Sequence, residues 1–375
     1  MKQHIYADNA ATTKLDKTAF ETMLPWLLEE YGNASQLYAF ARKPKKALAD
    51  ARATIAECIG ALPEEIYFTS GGTESDNWVI KSSAFADSKK QATITSSFEH
   101  HAILHSCSII ERFGHPVVYM SPSNDGYITS ENLEKHITDN TRLVSIMFAN
   151  NEIGSVQPIQ ELCEVTHTRS ALFHTDAVQV VGHIKINVHE LGVDFLSASA
   201  HKFNGPKGIG FLYIRKGVEL KPYLDGGLQE NAHRAGTENV ASIVGMATAL
   251  KTNLDSLNKN QQHILKLEKQ LVTRLNESGV VYRRNGGTSK LPGVLSLSFP
   301  GKEGEAILHR MDLMGISIST GSACDSVNTE VSHVLKAIRL NEKYAKGTIR
   351  ISLGKNNTEN EVEKIAAALV KIMNE

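Results

Sequence analysis

From about residue 60 to residue 215, short apolar and β-branched runs alternate with stretches of helical spacing. The runs Ile66–Thr69, Ala92–Thr95, Val117–Tyr119, Leu143–Phe148, Ala171–His174, Val193–Leu196 and Gly210–Ile214 read as strands. The stretches Glu74–Ala86, Ala102–Phe113 and Ile159–Thr168 between them read as helices. This alternation predicts an α/β fold, a mostly parallel sheet flanked by helices. A long helical stretch, about Ile243 to Glu277, then leads to a different pattern. A strand at Val294–Ser298, a helix at Glu303–Met314, a strand at Ile316–Ile318, a helix at Val331–Ile338, a strand at Thr348–Ser352 and a final helix from Glu359 predict a smaller α+β domain. The expected division is a large domain over 13–255 and a small one made of 1–12 plus 256–375, with the N-terminal dozen residues outside the main sheet. No internal repeat or low-complexity segment interrupts the pattern.

In open sheets of this kind ligands gather at the carboxyl ends of the strands. The strand exits here read Ser70-Gly-Gly-Thr-Glu74, Glu99-His-His101, Asn150-Asn151, Asp176 to Gln179, and His201-Lys202. Polar, chemically capable residues at five consecutive exits point to one site.

Composition removes several classes of function. The 375 residues carry 40 basic and 41 acidic side chains, a formal net charge of −1. That balance offers no electrostatic case for nucleic acid or an anionic membrane as the main ligand. No apolar run approaches the ~18 residues of a membrane span, and the first residues lack the apolar core of a signal peptide. The four cysteines, at 58, 107, 163 and 324, show no Cys-x-x-Cys spacing. A cytoplasmic protein with reduced thiols is expected.

Lys202 lies where an apolar strand runs into the Gly/Pro loop Phe203-Asn-Gly-Pro-Lys-Gly208. Held against the edge of a core, its amine loses solvation and becomes a usable nucleophile or base, as a Schiff-base lysine requires. Pyridoxal phosphate (PLP) is the commonest cofactor that needs one. Gly71-Gly72-Thr73 opens a helix after a strand and reads either as a phosphate cradle or as a plain turn with Thr73 as cap. Asp176 at a strand end serves either a cationic ring nitrogen or a structural role, and Gln179 is within reach of the same ligand. His100 and His101 lack a third ligand nearby in sequence, which argues against a metal and favours stacking and proton transfer. Cys58, Cys107 and Cys163 lie in helical segments as small hydrophobes, whereas Cys324 sits in the small-residue run Thr320-Gly-Ser-Ala-Cys324 between a strand and a helix, and reads either as a moving thiol or as an idle loop cysteine. Arg350, inside an apolar strand, demands a carboxylate from the protein or from a substrate.

Taken together the chain resembles the class I (NifS/IscS-like) cysteine desulfurases, fold-type I PLP enzymes of the class V aminotransferase superfamily. The motifs are Tyr6-Ala-Asp-Asn-Ala-Ala-Thr-Thr13, Phe68–Asn77, Asn150-Asn-Glu-Ile-Gly154, Asp176-Ala-Val-Gln179, His201-Lys202, Arg234-Ala-Gly-Thr237, Thr320–Cys324 and Ile349-Arg350. The resemblance implies that Lys202 carries the cofactor, Asp176 pairs with its ring nitrogen, Gln179 bonds its ring oxygen and His100 stacks on the ring. It also implies that Gly72, Thr73, Ser199, His201 and, from a neighbouring subunit, Thr237 hold the phosphate, and that Asn151 and Arg350 hold the substrate carboxylate. The implied reaction converts L-cysteine to L-alanine, with Lys202 taking the Cα proton and Cys324 accepting the sulfur as a persulfide. A homodimer and an acceptor protein such as an IscU/NifU-like scaffold are implied partners. The alternatives are a selenocysteine lyase, a cysteine-sulfinate desulfinase or a non-catalytic scaffold.

Some positions depart from the family pattern. Ala34 stands for a usual proline, Tyr38 for a histidine, Phe148-Ala149 for His-Val, Gly226–Ala232 for a different Gly-rich loop, and Lys355 for an arginine. No catalytic group is lost. The end of the chain soon after its last helix leaves the acceptor open.

Overall fold

The computed structural model describes residues 4–86, 88–320 and 331–375. Strand β1 is Ile5–Tyr6, followed by β2 (Ile66–Thr69), β3 (Ala92–Ser96), β4 (Val117–Met120), β5 (Thr141–Ser145), β6 (Leu172–Asp176), β7 (Phe195–Ser199) and β8 (Gly210–Ile214). Then come β9 (Arg283–Arg284), β10 (Val294–Ser298), β11 (Ile316–Ser317) and β12 (Thr348–Ser352). Seven strands form the main sheet in the order β2-β8-β7-β6-β5-β3-β4. Pairings from β4 through β7 are parallel, whereas β8 runs antiparallel to both β7 and β2. The sheet is thus mostly parallel, with one reversed strand.

The apolar runs form central strands because both faces are covered. β3, β7 and β8 are buried at every residue. Helices Gly72–Ala84 and His101–Arg112 pack against each other, sharing a cluster with Phe195 and Leu212 that also holds Trp78, Ile103 and Ile110. Another cluster joins Phe173, Leu196 and Phe211 to helices Arg42–Ile59 and Val240–Asp255. The main sheet therefore has a core on each side.

The helical stretch expected from Ile243 to Glu277 is two helices, Val240–Asp255 and Leu257–Glu277. Ser256 separates them, with φ −109° and ψ 11°. The break has a packing reason. Val240–Asp255 lies on helices Lys17–Leu28 and Arg42–Ile59, whereas Leu257–Glu277 lies on Glu359–Asn374. Their apolar faces are aimed at different cores. Leu267, Leu271 and Leu275 join Ile5, Ala7, Leu295, Ile351 and Leu369 in one cluster, whereas Leu291, Val294 and Val334 belong to the cluster of the main sheet.

The N-terminal segment does lie outside the main sheet, with β1 parallel to β11. It then crosses to the main sheet. Thr13 donates from both its N–H and its hydroxyl to the His201 carbonyl, at 2.9 and 2.8 Å.

Candidate active site

A cavity of about 260 Å³ opens where β6 and β7 end, the helix at Gly72 starts and β12 passes. Gly72, Thr73, His100, Asn151, Asp176, Gln179, Ser199, His201, Lys202 and Arg350 all line it. Ten of the residues singled out in the sequence therefore share one wall.

Lys202 ends a 3₁₀ turn, Ala200–Lys202, directly after β7. Its Nζ donates to the carbonyls of Ala10 and Ala11 at 2.7 and 2.8 Å. Gln179 Nε2 donates to the same Ala10 carbonyl at 3.0 Å. The neighbouring His201 places Nδ1 3.1 Å from Thr12 Oγ1, and burial, reinforced by the charges of Lys202 and Lys207, lowers its pKa to about 4. The N-terminal segment is thus part of the site, because its carbonyls orient the amine.

Asp176 is the last residue of β6 and is buried. Its Oδ1 accepts the Val178 N–H at 2.9 Å. Burial pushes its pKa up to about 6, against the opposing pull of that hydrogen bond and of the Lys202 ammonium. Asp76, one helical turn beyond Thr73, lines the same cavity. Burial and the charge of Asp176 drive it well above the usual carboxylate range. Its Oδ1 has no hydrogen-bond partner among the described residues, and His174 Nε2 is 3.7 Å away. Burial lowers the pKa of His174 to about 3, so it supplies no charge. Two buried carboxyls thus face a cavity in which the Arg350 guanidinium is already paired with Asp8 and Lys202 is the other cationic side chain, an arrangement that favours a cationic ligand group.

The strand-to-helix turn after β2 could hold an anion. Gly71 has φ +149°, a conformation that side chains rarely adopt, and a Cβ on Gly72 would lie 2.4 Å from Val178 Cγ2. Both positions require glycine, and the exposed N–H groups of a 13-residue helix point past them. His100 caps the next helix, its Nδ1 accepting the Ala102 N–H at 3.1 Å. Burial first, then the Lys202 charge, lowers its pKa to about 4, leaving a neutral ring at the cavity.

Arg350 is buried in β12, opposite Ser296 of β10. Nη2 donates to Asp8 Oδ1 at 2.7 Å and Nη1 to the Asn151 carbonyl at 2.9 Å, so the protein itself supplies a carboxylate for this guanidinium. Its Nε has no hydrogen-bond partner among the described residues.

One of the expected residues lines a different cavity, and another lies outside the described residues. Thr237 lines another cavity, of about 230 Å³, with Ser70, Gly208 and Arg234. Cys324 lies outside the described residues. The other three cysteines behave as hydrophobes; burial pushes the thiol of Cys58 up to about 11 and that of Cys163 up to about 12, and raises that of Cys107 as well.

Sequence reasoning assigned no role to Asp76, Asp8, Glu99 or His333. Asp76 had a signal in its spacing of three from Thr73, which puts both on one helix face. Glu99 directly precedes His100, and its buried carboxyl accepts from Ser96 Oγ at 2.5 Å and from the Met147 N–H at 3.0 Å. Burial pushes its pKa to about 8. His333, far away in sequence, gave no signal. Among the described residues no group of three or more His, Cys, Asp or Glu side chains could hold a metal ion, and no helix is long and apolar enough to cross a membrane.

The residues present fit PLP: an amine, a buried acid pair, a glycine-lined anion site and a guanidinium surround one cavity. The chain matches the family described as Aminotransferase class-V over residues 5–365. It is 45% identical to the cysteine desulfurase IscS of Dictyoglomus turgidum, covering 100% of this chain and 95% of that protein. A solved NifS-like protein superposes with a TM-score of 0.93 at 37% identity, covering 99% of this chain and 100% of that one. Another, described as SspA in complex with cysteine, superposes with a TM-score of 0.84 at 36% identity over 94% of this chain and 100% of that one. Fold, cavity and relatives agree: the chain belongs to the aminotransferase class-V family of PLP enzymes, in its IscS/NifS-type cysteine desulfurase branch.

Proposed function

We propose that the protein converts L-cysteine to L-alanine and carries the released sulfur as a persulfide on Cys324. The observation that carries this reading is the placement of Lys202, Asp176 and Arg350 around one cavity, in a chain whose relatives are desulfurases. The solved relative in complex with cysteine supports the substrate. Lys202, Asp176, Gln179 and His100 would hold the cofactor ring. Gly72, Thr73, Ser199 and His201 would hold its phosphate, with Thr237 contributed by the second subunit of a homodimer. When bound, PLP supplies an electron sink for the Cα–H bond.

The chain's own residues supply the rest. Arg350 and Asn151 fix the substrate carboxylate and so aim the Cα proton at Lys202. The Lys202 amine, oriented by the Ala10 and Ala11 carbonyls, is the base for that proton. The Cys324 thiolate attacks the substrate sulfur. With a domain over 13–255 and another made of 1–12 plus 256–375, Lys202 would belong to the first and Arg350 and Cys324 to the second, and the substrate would bind between them. A reducing, cytoplasmic setting suits a reactive thiol, and a scaffold or thiolation protein would take the sulfur.

The test is mass spectrometry after incubation with L-cysteine. A gain of about 32 Da on the Cys324 peptide, with alanine in the supernatant, is expected. The gain should vanish in Cys324→Ser and Lys202→Ala and persist in variants of the other three cysteines. Alanine formation at the wild-type rate by Cys324→Ser would exclude the persulfide route.

A further inference from the structure

Lys202 stands on a weak piece of backbone. The 3₁₀ turn Ala200–Lys202 is three residues long, and turns of that kind hold poorly by themselves. The Gly205 N–H closes it by donating to the Ala200 carbonyl at 2.8 Å, and Asn204 just before is left-handed, with φ +64°. A lysine that takes a proton from Cα must swing its side chain while its backbone stays still. Groups outside the turn have to hold it.

The carbonyls of residues 201 to 204 are each taken by a donor from another segment. Thr13 donates to that of His201 from its N–H and its hydroxyl. His183 Nε2 is 2.9 Å from the Lys202 carbonyl oxygen; a carbonyl only accepts, so Nε2 bears the hydrogen. Asn253 Nδ2 donates to the Phe203 carbonyl, and the Asp16 N–H donates to the Asn204 carbonyl at 2.9 Å. These donors come from the N-terminal segment, the stretch after β6 and helix Val240–Asp255.

Two of the donors meet again at one cation. Lys355 Nζ donates to Asp16 Oδ2 at 3.0 Å and to Asn253 Oδ1 at 2.9 Å. The side chains of Lys355 and Asp16 are both mostly buried, so solvent screens their attraction little. Lys355 follows Arg350 by five positions, just past the end of β12. Between them Ser352 is tied to the N-terminal segment, its N–H donating to the Ala7 carbonyl and its hydroxyl oxygen accepting the Ala10 N–H. The strand that carries the Arg350 guanidinium therefore runs directly into the ammonium that braces the turn under Lys202.

We propose that Lys355 is a positioning residue: by bridging Asp16 and Asn253 it keeps the Lys202 backbone in register with Arg350, and so sets the distance between the base and the Cα proton of a substrate held by its carboxylate. The inference rests on the desulfurase reading. Lys355→Met keeps the length of the side chain and removes its charge, whereas Lys355→Arg keeps N–H groups for the same two oxygens. In the cofactor-free protein, amide hydrogen exchange should be faster in Lys355→Met over residues 13–18 and 200–206 and unchanged over β3 and β5. Lys355→Arg should bring it back toward wild type. In the holoenzyme, exchange of the L-alanine Cα proton in deuterated water reads the Lys202 step without Cys324. At saturating L-alanine, Lys355→Met should slow that exchange about 10- to 100-fold while keeping the cofactor absorption band, and Lys355→Arg should recover most of the rate. Should Lys355→Met fail to fold, Asp16→Asn carries both measurements with the same outcomes expected, because asparagine still caps helix Lys17–Leu28 but lacks the charge. Wild-type rates in both measurements overturn the proposal. So does faster amide exchange across the whole main sheet, which would make Lys355 a general stabiliser, or a loss confined to KM, which would make it part of the carboxylate site. A wild-type holoenzyme that exchanges no Cα proton and forms no alanine from L-cysteine would instead sink the desulfurase reading, and the amide exchange tells the two failures apart.

Discussion

Asp176 and Glu99 are carboxyls that burial holds in the neutral direction, and both affect stability. Asp176 moves from 3.8 to about 6 and Glu99 from 4.5 to about 8. Between the ordinary and the raised value the folded protein binds more protons than the unfolded chain, so stability falls as pH rises through that window. The cofactor-free protein should therefore lose thermal stability from about pH 4 to pH 8, and Asp176→Asn should flatten the lower part of that slope. A ring cation beside Asp176 offsets the cost of its charge. The rise in Tm on adding PLP should then be larger at pH 8 than at pH 5 in differential scanning fluorimetry. A rise that shrinks with pH would show that Asp176 does not face a cation.

The helix Gly72–Ala84 is positioned by its first residue. A Cβ on Gly72 would meet Val178 Cγ2 at 2.4 Å, two residues past Asp176. Gly72→Ala should destabilise the protein by about 1–3 kcal/mol and accelerate loss of PLP on dialysis. Val178→Ala in the same chain should recover part of both, as a double-mutant cycle would measure. The strands around this helix were legible in the sequence because each is a short buried run ended by a turn. Val294–Ser298 and Thr348–Ser352 have the expected bounds for the same reason. The reversal of β8 was not legible, since direction leaves no trace in a strand buried on both faces. The break at Ser256 was hidden as well, because helical spacing continues through it while the packing partner changes. In the site, Lys202, Asp176 and Gly72 announced themselves as polar or flexible residues at strand exits. Asp8 and His333 did not, because their relevance arises only where distant segments meet Arg350 and His101.

At the scale of the molecule, Thr237 lies apart from Lys202, which makes subunit exchange informative. If Thr237 completes the neighbouring site, Lys202→Ala and Thr237→Ala chains are each impaired, but a mixed dimer holds one intact site. Refolding an equal mixture should restore about a quarter of the sites, measured as alanine formation. Recovery no greater than the sum of the separate variants would show that Thr237 does not complete the neighbouring subunit's site. The N-terminal segment has a consequence of another kind. Ile5 pairs with Ile316, Asp8 bridges to Ser352, and the carbonyls that orient Lys202 come from Ala10 and Ala11. The contact from Ala10 to Ser352 therefore spans some 340 residues of chain. Contacts of that span are slow to form. The main sheet pairs over shorter spans, so on refolding it should form before the segment that orients the Lys202 amine has docked against β12.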